Sequence, residues 1–71
     1  MKLVAGRSEQ QKNEIAAEIT KVVMASAKCT ESAVSVAIED VASDDWTEAV
    51  YKPDILAHWD RVYKKPGYDP L

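Results

Sequence analysis

The chain has 71 residues, a net charge of −3 at pH 7 and a single cysteine. This length allows one domain over residues 1–71, with a core too small to stabilise it by a wide margin. Cys29 is the only cysteine, which excludes an internal disulfide. Self-association is therefore the expected additional source of stability. The acidic balance argues against nucleic-acid or anionic-membrane partners, no apolar run approaches the ~18 residues of a membrane span, and the lone thiol favours a reducing, cytoplasmic compartment.

The first two elements are a short strand and a long helix. Met1–Ala5 has strand character and ends at the turn residue Gly6. Ser8 and Gln11 have the spacing of a capping box, which predicts a helix from about Glu9 to Ala27. Its predicted apolar stripe follows helical spacing and consists of Ile15, Ile19, Val22 and Val23.

A second strand is predicted over Ala33–Val41, where branched and small residues alternate. The branched residues Val34, Val36 and Ile38 should lie under the helix. A strand, a helix and a second strand form a right-handed crossover with parallel strands. Because two strands make a poor sheet, we expect a second subunit to complete it.

The last third of the chain predicts helices and completes an α+β fold. A short helix is expected from Asp44 to Val50, and Pro53 fits the first position of a further helix from about Asp54 to Lys64. Pro66 and the following Gly67 should end that helix.

Most residues that could carry chemistry have a simpler structural interpretation. His58 is best explained as a helix-surface residue paired with Asp54, and Cys29 as an unreactive loop thiol. Arg7 differs, because it precedes a helix N-cap, where a structural role would more naturally take an acid. A guanidinium beside helix N–H groups can bind a carboxylate, although a solvated loop arginine explains the position about as well.

Three stretches in order carry a family resemblance. They are the turn and helix start Gly6–Lys12, the run Glu31–Glu39, and the aromatic Trp46 five residues beyond Val41. Together they resemble the 4-oxalocrotonate tautomerase family. The last residues, through Lys64 to Tyr68, are similar to its small bacterial members with a helical C-terminus.

The resemblance implies a proton-transfer enzyme without cofactor or metal. In that family an N-terminal proline amine, with its pKa lowered by an apolar pocket, is the general base. Arg7 would bind the substrate carboxylate, Ser35 would occupy the position of a second arginine, and Trp46 would wall the site. The sites lie between subunits, and the helical C-terminus favours a homodimer over a hexamer.

Two departures from the family pattern shape the prediction. Serine at position 35 removes electrophilic help, which points away from 4-oxalocrotonate itself as the substrate. The proline is expected about four or five positions before Met1, so the N-terminal strand is interpreted as truncated. The predicted function is a tautomerase acting on a small 2-oxo enol acid. The alternatives are a non-catalytic oligomer, a decarboxylase or dehalogenase on the same scaffold, and, least favoured, a small helical binding module.

Overall fold

The fold contains one two-stranded parallel sheet. The structure, a computed structural model, describes all 71 residues. Strand β1 (Lys2–Val4) pairs with β2 (Glu39–Val41), with Lys2 opposite Glu39 and Val4 opposite Val41. Helix α1 (Glu9–Ala27) connects the two strands. The predicted α+β class, with a β-α-β unit and parallel strands, is confirmed.

Helix α1 has the predicted limits because its ends are fixed by local hydrogen bonds. The backbone N–H of Gln11 donates to Ser8 Oγ at 3.1 Å, and the backbone N–H of Ser8 donates to Gln11 Oε1 at 2.8 Å. The turn before the cap uses Gly6 at φ +123°, a conformation that side chains rarely allow. At the other end Lys28 is left-handed, and its N–H donates to Met24 O.

The covered face of α1 is only partly the predicted one. Ile15 and Ile19 are half-buried as expected, but Val22 is 63% exposed and Val23 is 36% exposed. The other half-buried positions are Lys12, Ala16, Thr20 and Met24. At 100° per residue, the buried face is centred about 60° from the predicted stripe. The 2.6 Å ion pair between Lys12 Nζ and Asp40 Oδ2 joins this face to β2.

The second predicted strand is shorter than expected. Glu31–Ala33 forms a 3-10 turn, and pairing is limited to Glu39–Val41. Burial still alternates through residues 34–38, where Val34, Val36 and Ile38 are half-buried and the residues between them are exposed. These residues do not pair because β1 reaches only to the level of Ile38, where the Met1 amino group donates to Ala37 O at 2.8 Å.

The C-terminal helices also differ from the prediction. Ser43–Asp45 is a 3-10 turn, Thr47–Ile55 is π-helical and Leu56–Arg61 is a 3-10 helix, instead of helices at 44–50 and 54–64. Pro53 therefore lies inside a helix and not at its start. Proline lacks an N–H and crowds the carbonyl four residues earlier, and the wider π-turn relieves that contact.

The core is small and the chain is spread out. Only Val41, Val50 and Tyr51 are buried. The radius of gyration is 14.0 Å, against about 11 Å for a compact domain of this length. Its extents are 39 × 31 × 17 Å. None of the helices is both long and apolar enough to cross a membrane.

Candidate functional site

Arg7 lies on the turn between β1 and α1, with its side chain exposed. Its Nη1 donates to Val4 O at 3.2 Å, and the guanidinium forms no ion pair with any carboxylate of the chain. This is notable because Glu14 and Glu18 line the same shallow cavity of about 370 Å³. Most of the guanidinium donors are therefore free for an external acceptor.

The helix start beside Arg7 is partly occupied. Ser8 already accepts the N–H of Gln11, and the carbonyl of Ser8 accepts the N–H of Lys12 at 3.0 Å. The remaining first-turn N–H groups, those of Glu9 and Gln10, have no acceptor within the helix. The predicted anion site thus consists of the guanidinium and two backbone donors.

Ser35 lies in the extended segment before β2, and it is exposed between the half-buried Val34 and Val36. Arg7 follows the carboxyl end of β1, whereas Ser35 precedes the amino end of β2. Ser35 precedes Val41 by six positions, which corresponds to about 20 Å of extended chain. A single copy therefore does not bring Arg7 and Ser35 together.

Trp46 leaves the same end of the sheet as Arg7 but does not line the cavity at Arg7. Its half-buried indole instead donates from Nε1 to the hydroxyl of Tyr68 at 2.8 Å. The Tyr68 ring lies 5.7 Å from the ring of Tyr51, centre to centre, at an angle of 46°. The structure thus joins Trp46 to the C-terminal tail and not to the predicted carboxylate site.

Sequence reasoning missed the cavity on this side of the molecule. It measures about 670 Å³, and its lining includes Tyr51, Leu56, Trp59, Pro66, Tyr68 and Asp69. Burial, then the negative charge of Asp69, then neighbouring Tyr68 raise the pKa of the Tyr51 hydroxyl above its ordinary value. A compositional signal was present, since all five aromatic residues of the chain lie between positions 46 and 68.

The other candidates have local roles. The predicted pairing of His58 with Asp54 is wrong, because the ring Nδ1 of His58 pairs with Arg61 instead. Asp54 instead forms a 2.6 Å ion pair with Lys2, which joins β1 to the C-terminal segment. Cys29 is half-buried, with Sγ 3.9 Å from Val23 O.

Comparison with known proteins decides the family. The model of the tautomerase family, described as tautomerase enzyme, matches residues 1–50. A probable tautomerase of Xylella fastidiosa is 42% identical over 71 residues, which is 100% of this chain and 87% of that protein. The tautomerase PptA of Klebsiella pneumoniae is 41% identical over 61 residues, which cover 86% of this chain and 80% of that protein. The chain belongs to the tautomerase family.

Membership supports a tautomerase-like function. The matched residues 1–50 contain Arg7, Ser35 and Trp46. The C-terminal tail, whose Tyr68 accepts the hydrogen bond from Trp46, lies beyond residue 50, as do the residues that line the aromatic cavity. Residues 51–71 lie beyond the family model, although the Xylella fastidiosa relative matches them as well.

Proposed function

We propose that this tautomerase transfers a proton within a small 2-oxo enol acid and that Arg7 binds the substrate carboxylate. The observation that carries the proposal is a guanidinium exposed and unpaired, although two glutamates line its cavity. An arginine that pairs with no acid of its own chain is available for a carboxylate from outside. The N–H groups of Glu9 and Gln10 would supply further donors to the same oxygens.

The active unit that we propose is a homodimer. Size scaling gives about 4,400 Å² of accessible surface for a folded monomer of this mass, whereas this chain exposes 5457 Å². The excess of about 1,000 Å² is near the area that one partner buries in a standard interface. Since Arg7 and Ser35 lie at opposite ends of one sheet, a site that contains both takes them from different copies.

The general base is expected from the family to be an N-terminal proline amine, which this sequence does not contain. Continuing β1 backwards in its parallel register by about four or five residues would place that amine opposite residues 33 and 34, beside Ser35. There it could accept a proton from the carbon next to the substrate carbonyl and return it elsewhere on the conjugated system. Ser35 could contribute only a neutral hydrogen bond to the carbonyl oxygen.

The direct test is ketonisation of phenylenolpyruvate or 2-hydroxymuconate by protein that carries a native N-terminal proline. Arg7→Ala should lower kcat/KM about 10- to 100-fold, the equivalent of one charge-assisted interaction. Arg61→Ala is the matched control, because Arg61 bonds His58 and should leave the rate unchanged.

Three outcomes would redirect the proposal. No rate above buffer on either substrate would favour the non-catalytic oligomer. Decarboxylation or dehalogenation of other carboxylates, still dependent on Arg7, would keep the binding role and change the reaction. Equal rates for Arg7→Ala and Arg61→Ala would remove Arg7 from the site.

A further inference from the structure

The aromatic cavity lies between the C-terminal helical segments and the tail, away from Arg7. Its volume of about 670 Å³ falls within the range of small-molecule sites, about 300–1,000 Å³. Two neighbouring tyrosine rings, Tyr51 and Tyr68, meet at 46° with their centres 5.7 Å apart. Trp59, which is 39% exposed, contributes a third ring to the lining.

The electrostatics of this lining favour positive charge. Each ring presents a negative face, and Asp69 is the only charged residue among the lining residues. Asp69 Oδ1 accepts the backbone N–H of Leu71 at 3.0 Å, and no lysine or arginine forms an ion pair with the carboxylate. A carboxylate ligand would be repelled here, which separates this cavity from the site at Arg7.

One cation of the chain already lies on this aromatic group. The Lys65 ammonium is 5.4 Å from the centre of the Trp59 ring, within the distance of about 6 Å at which a ring attracts a cation. The same ammonium donates to Val62 O at 3.2 Å, which holds it at the ring and outside the cavity lining. This ammonium adds positive charge beside the cavity, so the attraction for a cation inside it comes mainly from the tyrosine rings and Asp69.

We propose that this cavity binds a small organic cation with a methylated ammonium group. The rings of Tyr51, Trp59 and Tyr68 would contact the methyl groups, and Asp69 would supply the opposite charge. Methylated ammonium suits such a lining because its charge is spread over apolar surface and needs no hydrogen-bond acceptor. The inference does not depend on the proposed proton transfer and would stand without it.

The experiment compares choline with its neutral carbon isostere, 3,3-dimethylbutan-1-ol, by calorimetric titration of the full chain at constant ionic strength. Choline should bind at least about fivefold more tightly, because shape and apolar area are matched and only the charge differs. Equal affinity of the two, or no choline binding in the millimolar range, would overturn the proposal.

A pair of variants then tests the carboxylate. Asp69→Asn keeps the oxygen that accepts from Leu71 and should weaken choline binding roughly five- to tenfold. Asp60→Asn removes the same charge from a residue outside the cavity lining and should leave choline affinity unchanged. Equal losses in the two variants would reduce the effect to net charge and refute the site.

Discussion

Replacing Tyr68 by phenylalanine tests the contact that holds the tail against the end of the sheet. The change removes the acceptor of the 2.8 Å hydrogen bond from Trp46 Nε1 and keeps the ring that packs on Tyr51. A neutral hydrogen bond contributes about 0.5–1.5 kcal/mol net, and the half-buried indole can regain only part of it from water. For a domain of this size, 1 kcal/mol corresponds to a fall of about 4–8 °C in Tm.

The assay is thermal unfolding followed by circular dichroism at one fixed protein concentration. Tyr63→Phe is the matched control, because the Tyr63 side chain is fully exposed and forms no hydrogen bond, so its Tm should not move. In a Trp59→Phe background Trp46 is the only tryptophan. With selective excitation of tryptophan, Tyr68→Phe should shift the Trp46 emission to the red. Equal Tm values for the two tyrosine variants, with an unshifted emission, would refute the role assigned to this contact.

Three further predictions concern the fold. Ser8→Ala should destabilise the protein by about 1 kcal/mol, or about 4–8 °C in Tm, because the capping box is lost. Ser26→Ala is the control, since Ser26 lies on the exposed part of α1, and it should not destabilise the protein. Equal shifts in Tm for the two variants would contradict the capping role. The hydrogen bond to Asp40 raises the pKa of Lys12 above 10.5, so the contribution of this pair to folding stability is complete below that pH and is lost as pH rises through the folded-state pKa. Urea unfolding midpoints measured from neutral to alkaline pH should therefore fall less in Lys12→Met than in the unchanged protein. Parallel curves for the two proteins would show that the Lys12–Asp40 pair does not stabilise the fold. Amide exchange of residues 34–38 should slow as protein concentration rises, while that of Glu39, whose N–H already donates to Met1 O, should not. Exchange independent of concentration would argue against a partner on this edge.

The features predicted correctly from the sequence are those set by neighbouring residues. Ser8 and Gln11 fix the start of α1 because both halves of the capping box lie within one turn. The connection between β1 and β2 is long and filled by one helix, which leaves the parallel crossover as the simplest topology. Arg7 was likewise placed correctly on the exposed turn, since its position follows from the residues on either side.

The features that were missed depend on contacts between residues far apart in sequence. Trp46 and Tyr68 are separated by 22 positions, and no periodic pattern links them. The hydrogen bond follows from the path of the tail beyond Pro66, which local propensity does not determine. Pro53 was assigned to a helix start because that is its commonest helical position, and the π-turn that accommodates it has no sequence signature comparable to a cap.

The remaining differences are both consistent with the proposed second copy. Val22 and Val23 were predicted to be buried and are exposed, and residues 34–38 alternate like a strand without pairing. Apolar periodicity reports where a chain is buried in its final state, which for an oligomer includes the surface between subunits. Both patterns fit the proposed homodimer, in which a partner would cover the unpaired residues 34–38 and the exposed valines of α1. That arrangement would also give Ser35 a neighbour from another chain, which a site shared with Arg7 requires.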